Sequence, residues 1–303
     1  MAGNFWKSSH CEQWILEKFD LLRERGDDLK IFSEDEYQKL MIFFSNLIHE
    51  LGKEQGQGRC HQQVIATACV YFRRFYARRS FKDICPFLLA PTCLLLAAKV
   101  EEQGMHTSGG KFLGTYNHSI SKKYPFMGSE VAVKSQHLQE AEFFLLEILD
   151  CCLIVYQPYR PLQQMMQDMR TSPIGQGNCK AVDELYHESW RVVNDSLRTD
   201  AALLFAPHVI ALASIMVACM LPTNERYKEK EVRTWLSEFS VDFEKVFECV
   251  QMILNLYKLV KSYDENEQIE GLYKRLPRPL PHASTPQMNV GTPQMKMEPA
   301  YQR

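Results

Sequence analysis

Residues 90–102, Ala-Pro-Thr-Cys-Leu-Leu-Leu-Ala-Ala-Lys-Val-Glu-Glu, constrain the fold more than any other stretch. Cys93 through Ala98 offer no polar face, and a helix that is apolar all round has to be enclosed by others. Pro91 suits a first helical turn, where its missing N–H costs nothing. Lys99, Glu101 and Glu102 then arrive within four positions. The stretch predicts a rod inside a helical bundle with a charged tip at the bundle's mouth.

The chain carries a second version of it. Residues 75–100 and 191–216 align without a gap at an offset of 116. Leu88, Ala90, Pro91, Leu96 and Ala97 meet Leu204, Ala206, Pro207, Leu212 and Ala213. Self-similarity of this kind marks a repeated structural unit, and two tandem bundles account for it. The repeat also settles the uncharged run 201–221, whose length is close to the roughly 20 residues that cross a bilayer. Pro207 and His208 interrupt it, and its counterpart in the first copy is a core rod, so a buried helix is expected and no membrane span. Where the first copy has Lys99, Glu101 and Glu102, the second has Ile215, Val217 and Ala218. The fold therefore accepts apolar residues at these positions, and the three charges point to something outside the bundle.

The remaining periodicity is helical. Ser9 with Glu12 reads as a capping box opening a helix over 8–26, with Ile15, Phe19 and Leu22 as its stripe and Gly26 as its stop. Ser33 with Glu36 opens a second, running to about Leu51 before Gly52. Residues 62–79 and 129–150 read as helices, with Leu138, Ala141, Leu145 and Ile148 facing inward on the latter. Residues 103–128 read as a loop with one short helix. Helices are expected near 162–169, 181–196, 207–221, 228–239 and 240–263. Alternating strands of convincing length are missing, so the class is all-α. Six of the 14 prolines fall at 277 and beyond, with Thr-Pro-Gln-Met twice, at Thr285 and Thr292. This is the composition of a disordered tail.

Composition excludes several functions. A net charge of −2 over 303 residues gives no electrostatic footprint for nucleic acid. The ten cysteines form no Cys-x-x-Cys, and nine histidines show no metal spacing, so no metal is expected. Gly104–Lys111 is one residue too long for a phosphate loop, and Phe112 stands where a magnesium-binding hydroxyl is needed. With no nucleophile–base set either, no catalytic residue and no cofactor are expected. The N-terminus lacks the apolar core of a secretion signal.

Several motifs together resemble the cyclin family. They are Tyr71-x-x-Arg74-Phe75, the Ala-Ala-Lys99-Val-Glu-Glu run closing the rod, and Ala141-Glu142. Met1-Ala-Gly-Asn-Phe-Trp, Gln63-Val-Ile-Ala-Thr-Ala, Leu149-Asp-Cys-Cys-Leu-Ile-Val-Tyr and Arg191-Val-Val-Asn-Asp are similar to a narrower group, the cyclins of the Mediator kinase module. The resemblance spans about residues 1–265. It implies two five-helix cyclin boxes at 34–153 and 154–265, an N-terminal extension and helix at 1–33, and a flexible tail at 266–303. It also implies a regulatory subunit, not an enzyme. Such a subunit binds and activates the Mediator-associated cyclin-dependent kinase, meets the other kinase-module subunits, and acts in the nucleus on RNA polymerase II transcription as activator or repressor.

Matched by motif, Lys99 and Glu142 are the residues that grip the kinase beside its mobile regulatory helix, with Glu101 and Glu102 next to them. Cell-cycle cyclins carry Met-Arg-Ala-Ile-Leu for substrate docking where this chain reads Lys39-Leu-Met-Ile-Phe, so that route of recruitment is not expected.

Each residue also has a plainer reading. A lysine at a helix C-terminus bonds the last carbonyls, and Glu142 alone would be a solvated helix residue. Tyr71 and Phe75 are core candidates, with the arginines of 71–79 along solvent or the kinase interface. Phe5 and Trp6 either pack on the bundle or dock another module subunit. Thr285 and Thr292 are either proline-directed phosphorylation sites or unmodified linker. A transcription factor with tandem boxes that grips DNA is the rival architecture. It would usually add a zinc ribbon and a basic face, neither of which is present.

Overall fold

The computed structural model describes residues 3–54, 60–103, 109–125, 132–173, 175–176, 179–221 and 234–277. Among them there are helices and no strands. A single 3-10 turn, Phe5–Lys7, leads into α1 (Ser9–Gln13), α2 (Lys18–Glu24) and α3 (Gly26–Leu29). The first bundle follows as α4 (Glu34–Glu54), α5 (Gln62–Tyr76), α6 (Pro86–Val100), α7 (Gly109–Lys123) and α8 (Ser135–Ile148). The second comprises α9 (Tyr159–Thr171), α10 (Cys179–Ser196), α11 (Ala201–Leu204), α12 (Pro207–Met220) and α13 (Phe243–Lys261), and α14 (Glu265–Arg275) comes last.

Both apolar rods sit where the repeat puts them. α6 packs against α4, α5 and α8, and α12 against α9, α10 and α13. Each centres its own hydrophobic core. No described helix is long and apolar enough to cross a membrane.

Pro91 is not in a first turn, however. α6 starts at Pro86, which takes the N1 position, and Pro91 lies inside the helix. An interior proline leaves the carbonyl four residues back without its donor. Here that carbonyl belongs to Phe87, and the Tyr116 hydroxyl of α7 donates to it at 2.6 Å. Gly52 likewise does not stop α4 but lies within it. A Cβ at Gly52 would stand 2.6 Å from Ile65 Cγ1, so glycine lets α5 approach closely.

The N-terminal helix expected over 8–26 is broken. The cap is Ser8, whose Oγ accepts from the Cys11 amide at 3.3 Å, not Ser9. Chain direction changes at Trp14, which is fully buried with the Arg74 and Arg78 guanidiniums 4.8 and 4.0 Å from its ring. The Leu16 amide then bonds the Leu203 carbonyl of the second bundle at 2.7 Å. Leu21 is buried there, while Phe19, expected on the inner stripe, is 75% exposed. Gly26 begins α3 instead of ending a helix.

The two bundles and the N-terminal segment meet at one carboxylate. Asp200 accepts from both Arg25 Nη atoms at 2.7 and 2.8 Å, from Arg73 Nη1 at 2.8 Å and from Gln38 Nε2 at 2.9 Å. Arg73 Nε also donates to the Leu197 carbonyl at 3.1 Å. Burial opposes ionisation, but the two guanidiniums hold the Asp200 carboxyl well below the ordinary carboxylate range. Arg73 and Arg74 are thus buried, contrary to the placement along solvent or the kinase interface expected for the arginines of this run. Arg79 is exposed, and Arg78, exposed in part, lays its guanidinium on Trp14 and donates to the Ile148 carbonyl at 3.3 Å.

The helical part of the chain extends past the boundary at 266 that the resemblance implies. Residues 265–275 form α14, and Ile269 and Leu272 join the core of the first bundle. Thr285 and Thr292 lie outside the described residues, as do 228–233 of the helix expected over 228–239.

Candidate functional site

The charged tip of α6 is shaped by how the helix ends. Glu102 adopts φ 53°, the left-handed conformation. Its amide bonds the Lys99 carbonyl at 3.3 Å, and the Gln103 amide reaches the Ala98 carbonyl at 3.0 Å. These paired bonds are the Schellman arrangement that turns a chain sharply off a helix C-terminus. In the second bundle the rod runs on to Met220, and the positions matching the tip, Ile215, Val217 and Ala218, are fully buried. The first rod stops short, so Lys99 emerges at the surface.

Lys99 and Glu142 come together. The Lys99 ammonium donates to both Glu142 oxygens, at 2.5 and 2.8 Å, from α6 to α8. The lysine side chain is 48% exposed and the glutamate 15%. An ion pair whose cation is half-exposed contributes only about 0–1 kcal/mol to stability, so little is lost when the Lys99 ammonium turns to a partner. The ammonium has three protons to donate, and the carboxylate accepts through two oxygens. Together they can clasp a backbone segment that offers both carbonyls and amides.

Glu101 does not join them. Its carboxylate accepts from Thr67 Oγ1 and Gln63 Nε2, each at 2.7 Å, and Gln157 Nε2 donates to Thr67 Oγ1 at 3.2 Å. The Gln103 side chain accepts the His61 amide at 2.8 Å. The tip is thereby braced against the start of α5. Glu102 points into solvent.

Two apolar side chains escaped the sequence reading. Phe143, beside Glu142, is 76% exposed, and Ile154 is 68% exposed. Phe143 falls off the inward stripe of α8, and an aromatic residue off the stripe next to a candidate ligand was the available signal. Phe5 packs edge-on against His10 and Tyr156, with centroids 5.5 and 5.6 Å away. Trp6 is 64% exposed, with its ring 5.4 Å from His208. The described residues contain no group of three His, Cys, Asp or Glu arranged to hold a metal ion.

Family models describe both bundles: the cyclin N-terminal domain matches residues 44–154 and the cyclin C-terminal domain residues 157–260. The chain belongs to the cyclin family, whose domains are regulatory subunits of kinases and not catalysts themselves. Its similar relatives include Cyclin-C of Drosophila melanogaster, 50% identical over 282 residues, covering 93% of this chain and 98% of that protein. Cyclin-C of Rattus norvegicus is 46% identical over 288 residues, covering 93% and 92%.

Among solved structures, a chain of the Chaetomium thermophilum CAK complex bound to ATP-gamma-S superimposes with a TM-score of 0.67 at 18% identity, covering 90% of this chain and 87% of that one. A chain of the yeast TFIIK (Kin28/Ccl1/Tfb3) complex gives 0.61 at 24%, covering 82% and 100%. At these identities the likeness is one of fold.

Proposed function

We propose that this chain is the activating subunit of a cyclin-dependent kinase acting in RNA polymerase II transcription, in the nucleus, as part of the Mediator kinase module. The Lys99–Glu142 pair carries the reading. Its lysine is half-exposed, the pair adds little to stability, and Lys99 has the apolar Ile215 as its counterpart in the second bundle. Lys99 donates to carbonyls of the kinase and Glu142 accepts from its amides. Both bonds are charge-assisted and stronger than neutral ones. Phe143 supplies apolar area beside them, Glu102 lines the edge, and Glu101 braces the tip from inside. Held inward, the kinase's regulatory helix places its glutamate against the phosphate-binding lysine, which phosphoryl transfer requires. The cyclin does no bond chemistry. It shifts its partner's equilibrium by binding one state better.

The likeness to Cyclin-C proteins over almost their full length supports the narrower assignment. Docking of a further module subunit falls to Trp6, because Phe5 is packed against the bundle.

Co-purification with the kinase and a kinase assay test the proposal. Lys99→Ala combined with Glu142→Ala removes two charge-assisted contacts, each contributing roughly 1.5–3 kcal/mol. Binding and stimulated activity should fall at least tenfold while the melting temperature stays near wild type. Undiminished capture and activity would sink the reading.

A further inference from the structure

The turn that leads out of the first bundle carries the one pair of adjacent cysteines in the chain, Cys151 and Cys152. α8 ends at Ile148, and Asp150 and Cys151 then take φ 53° and 52°. Left-handed backbone is uncommon for residues that carry a Cβ and costs roughly 1–2 kcal/mol at each. Backbone bonds hold the chain there. The Cys151 amide donates to the Leu146 carbonyl at 3.0 Å, the Cys152 amide to Leu149 at 2.9 Å, and the Leu153 amide to Cys151 at 3.0 Å.

α5 clamps the turn on both sides. Arg78 donates to the Ile148 carbonyl at 3.3 Å, Arg74 to the Cys152 carbonyl at 3.1 Å and Tyr71 to the Leu153 carbonyl at 2.5 Å. Between these fixed points Cys151 is exposed and Cys152 is half-buried. The Cys152 thiol donates to Gln13 Oε1 at 3.1 Å and lies 3.4 Å from the Asp150 carbonyl. Gln13 is the last residue of α1, so this thiol ties the N-terminal segment to the turn.

An accessible thiol with a second thiol poised beside it is the arrangement that lets a cysteine be oxidised and then resolved. The neighbouring Cα atoms are about 3.8 Å apart, against roughly 4.4–6.8 Å across an ordinary disulfide. A bond between the two is therefore strained, and strain makes a disulfide easier to reduce. The pair suits reversible chemistry better than a permanent crosslink. Other cysteines do not match it. Cys60, Cys69, Cys93 and Cys249 are buried, and burial pushes the Cys69 and Cys249 thiols up to about 12, which makes them inert. Cys179 is exposed but has no cysteine next to it in the sequence.

We propose that Cys151 and Cys152 form a dithiol modification site that a hydroperoxide closes to a disulfide and a dithiol reopens. The Cys151 sulfur attacks the terminal peroxide oxygen. The S–O bond forms, the O–O bond breaks, and the thiol proton leaves with the alcohol. The Cys152 sulfur then displaces the hydroxyl, an S–S bond forms, and water carries off the second proton. Two thiols lose two electrons, and one hydroperoxide is reduced to an alcohol and water.

Closure changes the turn in two ways. Cys152 loses the proton it gives Gln13, so the tie to α1 is released. Cys151 is drawn onto its neighbour between the exposed Phe143 and Ile154, which reshapes the face proposed to meet the kinase. That second consequence rests on the proposed function, whereas the thiol chemistry stands apart from it.

The reduced full chain is treated with tert-butyl hydroperoxide, alkylated and digested with trypsin. Residues 135–170 come off as one peptide, because Arg160 precedes a proline, and they hold no other cysteine. The peptide should escape alkylation and be lighter than its dithiol form by two hydrogen atoms, and dithiothreitol should restore both thiols. Cys152→Ser keeps a donor for Gln13 and should leave Cys151 as a sulfenic acid that dimedone captures. In Cys151→Ser, Cys152 should oxidise at least tenfold more slowly. A peptide that stays alkylatable, or that pairs with another cysteine, overturns the proposal. In the closed chain the amides of α1 should exchange several-fold faster, and unchanged exchange overturns the release of Gln13. Kinase capture by the closed chain should fall at least threefold, and equal capture by the two forms overturns the effect on that face. A reduced chain that captures no kinase refutes the kinase reading instead, and the peptide masses then decide the dithiol site alone.

Discussion

Burial pushes the His10 imidazole down to about 3 and His49 down to about 4, against roughly 6.5 for an exposed histidine. His10 Nδ1 accepts the Tyr156 amide at 3.0 Å, whereas His49 Nδ1 faces the Ser45 carbonyl at 2.9 Å and so carries its proton there. Both are neutral in the fold and protonate in the unfolded chain as pH drops below about 6.5. The unfolded state then binds more protons, so stability is complete above that pH and declines on acidification. Each histidine contributes a slope of up to about 1.4 kcal/mol per pH unit below pH 6. Urea midpoints from pH 7.5 to 5 should fall accordingly. His10→Asn, whose amide oxygen can replace Nδ1 as acceptor, should remove part of the slope, and a flat wild-type profile would refute this account.

At the same scale, Lys99 and Glu142 were legible because two residues of known chemistry sit in a motif. The inward turn of Glu101 was not, because its partners, Thr67 and Gln63, lie more than thirty positions away and mark no period.

At the level of elements, the two rods announced themselves through composition, since a helix without a polar face has one place to go. α7 and α14 were underread for the opposite reason. Residues 109–123 mix glycine, serine and lysine, and residues 265–275 offer three apolar side chains around a glycine. The stripe of α7, Phe112, Leu113, Tyr116 and Ile120, is set among those polar residues, α14 has a shorter one, and tertiary contact decides both. For α7 part of that contact is the Tyr116 hydroxyl, which replaces the donor that Pro91 lacks. Tyr116→Phe should strand the buried Phe87 carbonyl and cost about 1–3 kcal/mol. Thermal or urea unfolding would register it. A variant as stable as wild type would mean that the helix accommodates Pro91 without help.

For the whole molecule, the repeat made the two bundles readable, but not what fastens them. Asp200 draws on Arg25, Gln38 and Arg73, at separations of 175, 162 and 127 residues. Such distances leave no trace in a local pattern, and the arginines looked like surface charges. Asp200→Ala would leave two buried guanidiniums without their carboxylate. Breaking a buried ion pair from one side costs about 3–5 kcal/mol, so the urea midpoint should drop sharply, and a change below about 1 kcal/mol would show the network to be incidental.

That single carboxylate has a consequence for how the protein is made. A ribosome releases the chain from its N-terminus at about 5–20 residues per second, and 127 positions separate Arg73 from Asp200. Arg73 therefore waits roughly 6–25 seconds for its carboxylate, and the first bundle, complete at Ile148, waits about 3–10 seconds. Until translation reaches the start of α11, the nascent bundle lacks the carboxylate that pairs its buried arginines, and it is completed by a residue that belongs to its neighbour.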